Sequence, residues 1–146
     1  MSGELSLPLS LIVRRTIRAS ADRLFAAWTE PRHLVAWWGP RPVKCASAEV
    51  DLRLGGRYTI VNALPDGTTL TIAGEFREID PPRKLVYTWQ MNEDGGESSL
   101  VTVHFAARAD DTEVIVIHEQ IPRPSVRDSH QQGWAGCLDS LVHYIE

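Results

Sequence analysis

The sequence has few of the marks of a secreted, membrane-spanning or nucleic-acid-binding protein. It holds two cysteines, Cys45 and Cys137, far apart among 146 residues and without metal-ligand spacing. That disfavours a disulfide framework and a zinc site, and both are expected as reduced, buried thiols acting as small apolar groups. No apolar run approaches bilayer length, and Met1 to Pro8 carry no basic stretch followed by an apolar one, so no membrane partner and a cytoplasmic location are expected. Basic residues do not cluster. Only Arg14-Arg15 and Arg18 come close, strand alternation would divide them between faces, and the formal charge is -4; a nucleic-acid partner held through phosphates is disfavoured. Low-complexity segments are missing too, and 43% hydrophobic with 23% charged residues is an ordinary globular balance. A chain of this length folds as one domain, burying roughly 68–70% of its unfolded surface without a staple. Nothing in the composition hints at a cofactor.

What is present is aromatic and periodic. Trp37-Trp38-Gly39-Pro40 places two indoles side by side, each able to bury on the order of 200 Å². Neighbouring side chains point in different directions, so either both rings pack in the core or one anchors there while the other lines a cavity. Leu9 to Arg18 reads as a strand. Ser20 can cap a helix over 21–28, with Leu24, Phe25 and Trp28 on its apolar face, and Pro31 ends it. A second short helix over 32–38 is stopped by Gly39-Pro40.

From Val43 to Gln120 the period changes to two. Gly55-Gly56, Pro65-Asp66-Gly67, Asp80-Pro81-Pro82, Glu93-Asp94-Gly95-Gly96 and Asp110-Asp111 mark turns. They bound strands at 43–53, 57–63, 69–79, 84–91, 99–108 and 112–120, and connections this short force antiparallel neighbours. The C-terminal stretch returns to helical spacing. Gly133, Trp134, Cys137, Leu138, Leu141, Val142 and Ile145 form one stripe, and Ser125 with Asp128 suggests a capping box after Pro124. Only the inner face of the sheet is large enough to cover that stripe, and a groove between sheet and helix is expected because their curvatures differ. Gly133 and Gly136 signal either close approach to the sheet or space for a ligand.

The ordered set Trp37-Trp38-Gly39-Pro40, Asp51 to Tyr58, Pro65-Asp66-Gly67, Gly74-Glu75-Phe76, Pro81 to Leu85, Val101-Thr102-Val103, Thr112-Glu113-Val114 and Gly133-Trp134 resembles the SRPBCC superfamily. Within it, the chain is similar to the stand-alone bacterial branch akin to the C-terminal domain of the heat-shock-protein ATPase activator. The resemblance covers nearly the whole chain, with residues 9–146 as a single domain after a short extension, 1–8. It implies an α+β helix-grip fold: an antiparallel sheet of about seven strands wrapped around a long C-terminal helix, with two short helices after the first strand. Family members hold a hydrophobic cavity there for lipids, polyketides, plant hormones or other small apolar molecules. The eukaryotic co-chaperone has an additional N-terminal domain that contributes to chaperone contact, and the residues before Leu9 are too few to form one, which weighs against that activity.

If Val103 and Phe105 face inward, His104 faces outward; on the next strand Val114, Val116, His118 and Gln120 share one face, with Ile115, Ile117 and Glu119 on the other. The resemblance favours His118 inward, as a core histidine, an anchor for a ligand or a general base. Metal binding is unsupported, since His104 and His118 point opposite ways and His130 and His143 lack ligand-type partners. No Ser lies in a nucleophile elbow. The expected ligand-binding set is Trp38, Tyr58, Phe76, Trp89, Phe105, His118 and Trp134, which either line a gap or fill it. Three readings follow: binding of a small apolar or aromatic molecule without turnover; a cyclase- or hydrolase-type enzyme using the same gap; and an interaction module that contacts a chaperone or forms a homodimer through the outer sheet face.

Overall fold

Alternation dominates what the chain builds. The computed structural model describes residues 9–39, 42–91 and 98–146, and in it the elements run β1 (Leu9–Ile17), α1 (Ala21–Thr29), α2 (Pro31–Trp37), β2 (Lys44–Val50), β3 (Arg57–Ala63), β4 (Thr69–Asp80), β5 (Lys84–Met91), β6 (Ser98–Ala107), β7 (Thr112–Ile121) and α3 (Pro124–Ile145). The expected extension, the turn at Glu93 to Gly96 and Pro40 lie outside the described residues.

All seven strands join one antiparallel sheet in the order β1-β7-β6-β5-β4-β3-β2. Consecutive strands are neighbours except at β1, which pairs with β7, so the crossing between β1 and β2 carries α1 and α2. Register shifts interrupt the ladders at Leu9/Leu11, Cys45/Ser47 and Phe76/Glu78. Such bulges bend strands and deepen twist, and the bent sheet holds the buried stripe of α3, made by Trp134, Cys137, Leu138, Leu141 and Ile145. This is the helix-grip α+β architecture.

Local chemistry explains the helix ends. Ser20 caps α1 by accepting from the Arg23 N–H at 3.1 Å, and α2 starts with Pro31 in its first turn. The capping box expected at Ser125 does not form. The N-cap of α3 is Arg123, without a side-chain hydrogen bond, and Pro124 occupies the first turn, where its missing N–H costs nothing. Asp128 instead accepts from the Arg127 guanidinium at 3.2 Å.

The alternation of β7 also ends earlier than expected. Val114, Val116 and His118 are buried, but Gln120 is exposed with φ 61° and Ile121 turns inward. Leu9 faces Ile121 while Leu11 faces His118, so β7 spends one residue more than β1 over this stretch, and that residue flips the faces. The cysteine expectation holds for Cys137, which is buried; Cys45 is only half-buried on β2, and its thiol donates to the Ser47 carbonyl at 3.3 Å.

Among the described residues, no helix is long and apolar enough to cross a membrane.

Candidate functional site

A pocket of about 430 Å³ opens between the sheet and α3. Leu70 and Ile72 of β4 and Trp89 and Met91 of β5 line it from the sheet, Trp134 from α3, and Trp38 from the end of α2. The three indoles meet there: Trp38 and Trp89 have ring centroids 6.3 Å apart, Trp38 and Trp134 5.6 Å, Trp89 and Trp134 5.2 Å. Gly133 contributes room, since a Cβ built on it would meet no atom within 4 Å. Of the two meanings offered for this glycine, open space is the one realised.

The adjacent tryptophans divide their work. Trp37 is held in the core by donating its indole N–H to the Ala27 carbonyl at 2.8 Å, whereas Trp38, equally buried, shows one face to the pocket. His118 lies behind the pocket wall, fully buried against the Trp89 ring at 5.2 Å. Tyr58 and Phe76 border a separate void of only about 20 Å³, beside Trp28 and Tyr87. Phe105, 1% exposed, packs on Phe25 and Trp28 at 5.7 and 5.9 Å in the closed core. Trp38, Trp89, Trp134 and His118 are thus brought together, while Tyr58, Phe76 and Phe105 do not line this pocket, and Trp38 also borders the small void of Tyr58 and Phe76.

Two further residues complete this corner. Ser99 Oγ is 2.7 Å from His118 Nε2, and the His130 ring stacks on His118 with centroids 4.7 Å apart and planes 11° from parallel. His130 stands four residues before Trp134, so helical spacing alone put it on the buried face. Ser99 carried no such signal, because its place opposite β7 depends on the strand register.

The proton positions follow from donor chemistry. Trp134 donates its indole N–H to His118 Nδ1 at 3.0 Å. An indole can only donate, so Nδ1 accepts, the neutral ring carries its proton on Nε2, and that proton points at Ser99. Ser99 in turn donates to the Trp89 carbonyl at 3.4 Å. A histidine that activates serine needs the opposite tautomer, with Nδ1–H held by a carboxylate and Nε2 free to accept. Among the described residues no carboxylate bonds to His118, and the chain of bonds orients Trp134 and Ser99 rather than priming a nucleophile. The Cys137 thiol is equally unsuited to attack: burial pushes its pKa up to about 12, against the partly offsetting hydrogen bond from the Gly39 N–H. No group of three or more His, Cys, Asp or Glu among the described residues is placed to hold a metal ion.

Burial, with the neighbouring His130 adding to it, pushes the His118 pKa down to about 3. In the unfolded chain the value returns to about 6.5. The unfolded state then binds the extra proton at any pH between these values, so stability is full above about 6.5 and falls as pH drops toward 3. The loss reaches at most about 1.4 kcal/mol per pH unit. Urea denaturation at pH 7 and pH 5 is expected to show a loss of roughly 2 kcal/mol that His118→Gln lacks. Equal losses in the two proteins would remove His118 as the cause.

Residues 18–146 match the family described as Activator of Hsp90 ATPase homolog 1-like protein. Among solved structures, CV1439 from Chromobacterium violaceum is similar with 24% identity over 94% of this chain and 96% of that one, at a TM-score of 0.86. The AHSA1 protein SPO3351 from Silicibacter pomeroyi shows 23% identity over 92% and 96%, at 0.82. PFC0360w from Plasmodium falciparum, described as an HSP90 activator, shows 30% identity over 77% and 74%, at 0.62. No curated protein matches the chain.

Proposed function

We propose that this chain, which belongs to the Activator of Hsp90 ATPase homolog 1-like family, binds a small, largely apolar molecule in the pocket between the sheet and α3. The observation that carries the reading is the pocket itself. It has the size of a small-molecule site and the usual composition, apolar and aromatic walls with a few polar groups. The open space over Gly133 supports it further, because a helix-interior glycine costs about 1 kcal/mol relative to alanine and here leaves volume in the pocket.

That glycine supplies the test. Gly133→Leu is expected to raise thermal stability by a few degrees through helix propensity, while its side chain projects into the pocket. The neutral probe N-phenylnaphthylamine should bind the wild-type protein saturably, with a rise in its emission, and should fail to bind Gly133→Leu. A wild-type protein without saturable binding, or equal binding by the folded variant, would defeat the reading.

The likeness to a protein described as an HSP90 activator supports a second reading, stimulation of a chaperone ATPase. It predicts a faster Hsp90 ATPase rate on adding this protein, and the same stimulation from Gly133→Leu if the pocket plays no part.

A further inference from the structure

Trp38 and Val43 line two cavities at once: the pocket already described and a second of about 540 Å³. On α3 the first is lined by Gly133 and Cys137 and the second by Ser140 and Tyr144, positions three or four apart that share one flank of a helix. The division falls between Cys137 and Ser140. There the chain leaving α2 is fastened to α3 twice: the Gly39 N–H donates to Cys137 Sγ at 3.5 Å, and the Ser140 hydroxyl donates to the Gly39 carbonyl at 3.1 Å. Val43 stands close behind, since a Cβ built on Gly39 would come within 3.3 Å of its side chain.

We propose that Trp38 is a fixed partition across a groove that follows α3, and that it limits the length of the apolar molecule the first pocket accepts. This rests on the pocket being a ligand site. A side chain that swung aside would set no limit, and Trp38 is held. Its backbone N–H donates to the Leu34 carbonyl at 2.9 Å as α2 closes. Its ring is packed against four others, Trp28, Trp37, Trp89 and Trp134, at centroid separations of 5.3 to 6.3 Å, and displacing it would forfeit those aromatic contacts together. Beyond the partition the second cavity has apolar walls that include Val35 and Ala36 of α2. Val35 is 43% exposed, so a chain extending past Trp38 would gain by covering apolar surface that now faces water.

Displacement of N-phenylnaphthylamine by the straight-chain primary alcohols from hexanol to dodecanol measures the limit. In the wild-type protein affinity is expected to rise about fourfold per added methylene and to stop rising once the chain meets Trp38. Trp38→Leu should let the rise continue to longer alcohols. Ala36→Trp, at an exposed position that lines the second cavity and not the first, should leave the wild-type affinities unchanged and should restore the shorter limit to the Trp38→Leu protein. An unchanged limit in Trp38→Leu, or a wild-type affinity that climbs without a stop through dodecanol, would overturn the partition and leave the pocket as an apolar ligand site. Binding of none of the alcohols would overturn both. If Trp38→Leu does not fold, the wild-type and Ala36→Trp proteins decide: weaker binding of the long alcohols by Ala36→Trp would mean that chains already pass Trp38 and would overturn the proposal, whereas one limit common to both proteins supports it.

Discussion

Gly74→Ala is expected to lose the native fold, or to keep it with a stability loss on the order of 4 kcal/mol or more, as for other severe overpacking in a core. The position is interior to the sheet. Gly74 lies on β4 opposite Tyr58 of β3, and a Cβ there would collide with the backbone carbonyl of Thr88 on β5 and with the Tyr58 ring. Neither neighbour can yield easily. The Tyr58 hydroxyl donates to that same Thr88 carbonyl at 2.7 Å, and the Thr88 hydroxyl accepts from the Glu75 N–H at 2.8 Å. The side chain, the carbonyl and the adjacent amide are tied into one unit, so relief for the new methyl group requires β5 to part from β4. Far-UV circular dichroism with urea denaturation measures the effect, and a midpoint equal to the wild-type value would disprove the account.

The second large effect is expected at Trp28, where Trp28→Ala should cost about 3–5 kcal/mol, or roughly 10–15 °C in melting temperature for a chain of this size. Trp28 joins elements that are distant in sequence. From α1 its ring meets Trp37 at 5.0 Å, Phe105 of β6 at 5.9 Å, and Trp134 of α3 at 6.1 Å in a nearly parallel stack. Its N–H donates to the Tyr87 hydroxyl at 3.2 Å. Truncation removes these contacts together and leaves a cavity between α1 and the sheet, with the Tyr87 hydroxyl deprived of its donor. Trp28→Phe retains a ring and should recover about half of the loss. A thermal melt of both variants decides it; a shift below about 3 °C for the alanine variant would mean the cluster relaxes around the gap.

The elements were largely legible in the sequence because each is announced locally. Period-two alternation between Gly55-Gly56, Pro65-Asp66-Gly67 and Asp80-Pro81-Pro82 delimits β3 and β4 to within a residue of what is observed, and the Trp134-to-Ile145 stripe marks the buried face of α3. Alternation tells which face of the sheet a side chain takes. It does not tell where on that face the residue lies relative to α3, which is why Tyr58, Phe76 and Phe105, all inward, stand outside the pocket that Trp89 enters. Pairings across strands were hidden for a related reason. Ser99 reaches His118 only because Val101 is opposite His118 in the β6–β7 register, and Gln120 escapes the interior only because the bulge consumes a residue. Asn62 is a polar residue in an inward position of β3, a signal that alternation makes visible, and it is among the residues that line the pocket.

The contacts among Trp28, Trp37, Trp38, Trp89 and Trp134 also have an optical consequence. They connect all five tryptophans of the sequence through centroid separations of 5.0 to 6.3 Å. At such spacings excitation absorbed by any one indole migrates through the set before it is emitted, and the transition dipoles couple. The native protein should behave as a single chromophore, with an exciton signature in circular dichroism and an emission governed by whichever ring quenches fastest. Occupation of the pocket beside Trp38, Trp89 and Trp134 would then alter the light from the whole cluster, so the unlabelled protein carries its own reporter.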